Sequence, residues 1–70
     1  MYKVYCWEEG SLSIFPLFTF STFVIPRIAE KIYGPDNNTY LITDVTYNIS
    51  NDTEKAQIIS VDLQIKIIKE

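Results

Sequence analysis

Two carboxylates on neighbouring strands can hold a divalent cation or share acid and base roles, and Asp44 with Asp62 is the one such pair this sequence offers. Register decides whether they meet. If Ile49 lies opposite Gln57, Asp44 falls directly opposite Asp62 and the two repel; if Ile49 faces Ile59, Asp62 meets Thr46 instead. The second register is cheaper without a metal, and both aspartates sit on a polar strand face where a solvated carboxylate needs no special role. Glu8 and Glu9 adjoin in sequence but point to opposite faces of a strand.

Other chemistry is thin. The chain has no histidine, which removes Ser-His-Asp and Cys-His nucleophilic sites together with His-based metal centres. Cys6 is the sole cysteine, flanked by Tyr5 and Trp7 with no base suited to activating it, and is expected to be a buried structural thiol in a reducing compartment. Gly10 and Gly34 are the only glycines, and neither has the neighbours of a phosphate-binding loop. No catalysis, cofactor or metal site is therefore expected.

The aromatic residues point to binding. Phe15, Phe18, Phe20 and Phe23 could stack on single-stranded bases, but such platforms interleave aromatics with cations and the segment Leu12 to Ile25 contains none. These four are read as core or as an oligomer interface. Trp7, Tyr33, Tyr40 and the only arginine, Arg27, are of the types enriched at binding surfaces and are the candidates for partner contact; Tyr5 and Tyr47 belong to the same class.

The elements that must position these residues read as strands. Tyr2, Val4 and Cys6 alternate with Lys3, Tyr5 and Trp7, which makes a first strand. From Leu12 to Ile25 there are nine apolar side chains and a proline in fourteen residues, apolar on both period-2 faces, so the run needs cover on both sides and predicts self-association. Pro16 donates no ladder hydrogen bond, which implies a bend or an edge position. Pro26 to Tyr33 fits either a short helix, with Pro26 in its first turn and Gly34 as its stop, or a turn followed by a short strand. Gly34-Pro35-Asp36-Asn37-Asn38 is a turn. Leu41, Val45, Tyr47 and Ile49 then share a face interrupted by Thr43, and after Ser50 to Glu54 five inward positions follow, Ile59, Val61, Leu63, Ile65 and Ile67, giving a hairpin. The fold class is mainly β: one domain, residues 1–70, a small antiparallel meander of five strands curling into a barrel.

At 70 residues the core is small and the chain has no disulfide to support it, so association with a second copy is the remaining stabiliser. Net charge is −3 and the six basic residues are scattered, which argues against nucleic acid as partner. The apolar segment is too short to span a bilayer, and the acidic start lacks the positive region of a secretory signal, so a cytoplasmic protein with no membrane partner is expected. Asn37-Asn38-Thr39, Asn48-Ile49-Ser50 and Asn51-Asp52-Thr53 are then turn residues and not glycan acceptors.

Ile25-Pro26-Arg27-Ile28-Ala29-Glu30-Lys31-Ile32, Tyr40-Leu41-Ile42-Thr43-Asp44-Val45-Thr46-Tyr47 and Val61-Asp62-Leu63-Gln64-Ile65 together resemble the short SH3-like β-barrel proteins of unknown function encoded by bacteriophages and mobile elements. In those, a Pro-Arg-hydrophobic-Gly-acidic turn leads into a strand and then a hairpin; here Ala29 stands where the glycine is usual. The resemblance covers about two thirds of the chain and implies an SH3-like barrel and a viral source, with no activity attached. With the exclusions above it sets the expectation of a non-catalytic protein that binds a host protein and inhibits or redirects it, as an anti-defence factor would. An oligomeric sponge for a small molecule such as a nucleotide signal, and a small virion subunit, are the alternatives.

Overall fold

A computed structural model describes residues 1–51 and 54–68. Asp52 and Thr53, named above in a turn and a sequon, lie outside the described residues, as does Lys69, one of the six basic residues. There are five strands: β1 (Tyr2–Glu8), β2 (Phe18–Thr22), β3 (Lys31–Tyr33), β4 (Thr39–Ile49) and β5 (Ile58–Ile67). They form one mixed sheet in the order β2-β1-β5-β4-β3, curled into a half-barrel.

The expected all-antiparallel meander is corrected by parity. Strands that reverse direction at every step leave the first and fifth pointing the same way, so the rung joining them must be parallel. β1 pairs with β5 in that sense, Val4 with Val61 through Glu8 with Ile65, while β1–β2, β3–β4 and β4–β5 are antiparallel. The rung between β2 and β3 is the one a closed cycle lacks, and both strands are free edges.

The curl is visible in two rings. Phe18 on β2 and Tyr40 on β4 are three strand spacings apart in the sheet, about 14 Å if it were flat. Their ring centroids are 5.7 Å apart. Inside the curve lie Val4 and Cys6 from β1, Tyr40 and Ile42 from β4, and Val61, Leu63 and Ile65 from β5. Phe18, Phe20, Ile25 and Ile32 pack against this group from the open side.

Two irregularities set which residues face inward. Between the pairs Ile42–Ile65 and Asp44–Gln64, Thr43 is an extra residue whose Oγ1 donates to the Gln64 carbonyl at 3.2 Å. An extra residue reverses the phase of the strand. Tyr40 and Ile42 therefore point inward ahead of Thr43, where the sequence pattern placed Leu41, and Val45 points inward after it. Between the pairs Asn48–Ser60 and Ile49–Ile58, Ile59 is likewise extra: Ile58 packs against the core and Ile59 is 61% exposed, which removes it from the expected five inward positions.

There is no helix at residues 26–33. Arg27 to Glu30 is a turn closed by the Glu30 N–H donating to the Arg27 carbonyl at 3.2 Å, and the Arg27 N–H donates to Glu30 Oε1 at 2.6 Å. Ala29 takes a φ of 74° there, the conformation for which glycine is ordinarily used. Beyond it the Ala29 N–H reaches the Ile42 carbonyl and the Ile42 N–H reaches the Glu30 carbonyl, both at 2.9 Å, which draws the chain into β3.

Candidate functional site

The residues joining β1 to β2 form an ordered projection. Gly10 turns the chain with a φ of 78°. The Glu9 N–H donates to the Ile65 carbonyl at 2.8 Å, and the Leu17 N–H closes the base on the Cys6 carbonyl at 2.7 Å. Within the loop, Ser13 acts twice: its N–H donates to Ser11 Oγ at 3.1 Å, and its hydroxyl donates to the Phe15 carbonyl at 3.0 Å while accepting the Phe15 N–H at 3.2 Å. Such local side-chain bonds satisfy backbone groups without a ladder. Their consequence is that Leu12, Ile14 and Phe15 stand 98%, 81% and 71% exposed on a braced loop.

At the foot of this loop lies a cleft of about 230 Å³ with Trp7 and Glu8 on one side and Ser11, Ser13, Phe15 and Pro16 on the other. Trp7 is oriented from the outer face of the sheet. Its Nε1–H donates to Asp62 Oδ1 at 2.9 Å, and Asn48 Nδ2 donates to Asp62 Oδ2 at 2.8 Å and to Ser60 Oγ at 2.9 Å. One aspartate thus ties β1 and β4 to β5 and fixes the indole beside the cleft.

That assignment answers the carboxylate question. Asp62 is paired with Thr46 and Asp44 with Gln64, the register in which the two acids do not oppose each other. Among the described residues no three acidic or cysteine side chains gather into a metal-binding group.

A second recess follows the seam between β2 and β3. It consists of two hollows, about 420 Å³ between Phe18 and Phe20 on one side and Ile32, Tyr33 and Pro35 on the other, and about 350 Å³ bounded by Phe20, Val24, Ile25, Pro26, Lys31 and Ile32. Gly34 pins one end: a methyl group at its Cα would lie 2.8 Å from Asp36 Oδ1, 3.0 Å from the Tyr40 ring and 3.2 Å from the Phe18 ring.

Five of the sequence-selected residues gather at two places. Trp7 and Phe15 meet at the cleft. Phe18, Phe20 and Tyr33 meet at the seam. Arg27 stands apart on the exposed turn before β3, and Phe23, 75% exposed, stands at the end of β2. Tyr40, selected for partner contact, lies in the core: the residue is 3% exposed, and its hydroxyl donates to Asp36 Oδ2 at the rim. Leu12 and Ile14, the most exposed apolar side chains of the loop, were not singled out by sequence. Their signal was the alternation Ser11-Leu12-Ser13-Ile14, in which each serine can bond the backbone two residues on.

Burial supports a structural Cys6: it pushes the thiol up from 9.0 to about 12, which keeps it protonated and unreactive at neutral pH. The hydrogen bond from Tyr40 lowers the Asp36 carboxyl and raises the Tyr40 phenol. Among the described residues no helix is long and apolar enough to cross a membrane. No family model, curated protein or solved structure matches the chain.

Proposed function

We propose that this protein is a non-catalytic binding module that docks on a partner protein through the β1–β2 loop and the cleft beside Trp7. The observation carrying this reading is that Leu12, Ile14 and Phe15 are exposed on a loop already held in place by its own serines. Apolar side chains in water with no internal role mark a docking surface, and bracing them beforehand lowers the entropy lost on binding. Trp7, immobilised by Asp62, supplies the aromatic anchor next to them.

The resemblance to short SH3-like barrels of phages and mobile elements supports an SH3-like relation for the half-barrel. It also makes a host protein the partner to seek, with inhibition or redirection of that protein as the consequence. The test is native mass spectrometry of the chain purified from its host background, alongside Leu12→Ser/Ile14→Ser and Trp7→Ala variants. A stoichiometric host protein that is lost from both variants supports the reading. Recovery of no such protein, or equal recovery with the variants, overturns it.

A further inference from the structure

We infer that two copies of this chain associate through β2, pairing antiparallel about a two-fold axis at Phe20 and continuing the sheet from one copy into the other. The inference concerns the open edge of β2, which shares only Leu17 with the rim of the Trp7 cleft, and does not rest on that cleft's role.

It starts from the unequal protection of the two free edges. Edge strands are ordinarily guarded by charge, proline, shortness or a bulge. β3 is guarded: it is three residues long, carries Lys31, and lies between Pro26 and Pro35. β2 has none of these; its five residues Phe18-Thr19-Phe20-Ser21-Thr22 are uncharged and pair regularly with β1. The hollows of the seam lie along it and leave space beside its open edge.

The occupant follows from the sequence of β2, which is complementary to itself. An antiparallel pair centred on Phe20 sets Phe20 against its own counterpart on the inner face, an aromatic pair, and Thr19 against Ser21 of the second copy on the outer face, a hydroxyl pair. No like charges oppose each other. At the two ends of the strand the same symmetry brings Leu17 of one copy toward Phe23 of the other, before the bonds between the Thr22 hydroxyl and Val24 bend the chain. Leu17 and Phe23 are 45% and 75% exposed, so these exposed apolar side chains are each other's partners under this symmetry. Covering them with the open edge of five residues removes on the order of 500 Å² per copy, about 1,000 Å² in all, which reaches the lower bound of a specific interface.

Thr19 and Ser21 face outward and are exposed, so both can be replaced without touching the core. Sedimentation equilibrium at micromolar concentration should give the wild type a mass of twice 8.1 kDa. Thr19→Glu/Ser21→Glu sets glutamates opposite each other twice across the axis and should weaken the dimer by about tenfold or more. Thr19→Lys/Ser21→Glu sets opposite charges in the same places and should restore it. A monomeric wild type, or a Glu/Glu variant that keeps its circular dichroism and dimerises as tightly as the wild type, overturns the inference. So does a Lys/Glu variant that folds and remains as weak as the Glu/Glu variant.

Discussion

The centre of the sheet and its free flank are built from similar apolar side chains and end up in opposite conditions. β1, β5 and β4 supply all seven buried hydrophobic side chains of the described residues. The flank from Leu12 to Ile28, with β2 inside it, holds seven of the large apolar side chains that stay exposed: Leu12, Ile14, Phe15, Leu17, Phe23, Val24 and Ile28. Composition does not separate the two regions; pairing does. A strand with neighbours on both sides has its inner side chains enclosed by theirs, whereas β2 has a neighbour on one side only, and the segments that lead into and out of it have none.

The contrast breaks most readily at Leu63, which is fully buried in the middle strand. Leu63→Ala should cost about 3–4 kcal/mol, a large fraction of the stability of a domain this size, and the urea midpoint should collapse toward zero. A loss below about 1 kcal/mol would mean that the centre is not the stabilising half. An equally large effect from Leu12→Ala, on a side chain 98% exposed, would erase the contrast altogether.

The same enclosure gives the centre a pH dependence. Because the folded Cys6 thiol titrates near 12 instead of 9.0, its contribution is complete below pH 9 and is lost as pH rises from there through about 12. The raised Tyr40 phenol acts in the same direction, its contribution disappearing above its ordinary value of 10.0. Asp36, with a lowered carboxyl, loses its contribution at the other extreme, as pH falls through its folded value below 3.8. Urea midpoints measured from pH 8 to 11 should fall in the wild type and fall less steeply in Cys6→Ala, which also loses about 1 kcal/mol at pH 7 through the deleted sulfur. Parallel alkaline limbs would show that Cys6 is open to solvent.

Between centre and flank stands Gly34, where the turn after β3 meets Phe18. Gly34→Ala adds a methyl group against two rings and the Asp36 carboxylate, and only the carboxylate can swing aside cheaply. A cost of about 1–2 kcal/mol is expected. It should also be local: amide hydrogen exchange should quicken in β2 and β3 while β5 keeps its protection. Uniform acceleration across the sheet would mean that the seam and the centre open as one unit.

The sequence was most legible where the centre is regular. The alternation of Val4 and Cys6 with Tyr5 and Trp7, the inward run Val61, Leu63 and Ile65, and the turn at 34–38 all stand in the structure, the last closed by the Asn37 N–H on the Gly34 carbonyl and the Gly34 N–H on the Asn38 carbonyl. What failed was phase. Tyr40, Leu41 and Ile42 are all apolar, as are Ile58 and Ile59, so period-2 counting has no preference between faces at the two places where an extra residue reverses them. In Leu12 to Ile25 the apolar residues occupy both parities, which reads as a two-sided apolar run with a bend or an edge at Pro16; serine and threonine bonds to the backbone divide it into loop, strand and loop. The candidate cleft was half legible, since Trp7 and Phe15 were singled out for different purposes and only the loop conformation brings them to one place.

The smallest effect tests the flank at its most local point. Ala29 holds a left-handed backbone, which costs an L residue with a Cβ about 1–2 kcal/mol relative to glycine. Ala29→Gly relieves that strain, and the greater freedom of glycine in the unfolded chain takes back about 0.5–1 kcal/mol, leaving a net gain of about 0.5–1 kcal/mol. In a domain this small such a gain raises Tm by about 2–8 °C. A rise of that size, with the Glu30–Arg27 turn and the bonds to Ile42 retained, would show that the flank is limited by local backbone strain at one residue. An unchanged or lowered Tm would place the turn under no such strain and leave the missing β2–β3 rung as the reason the flank stays open.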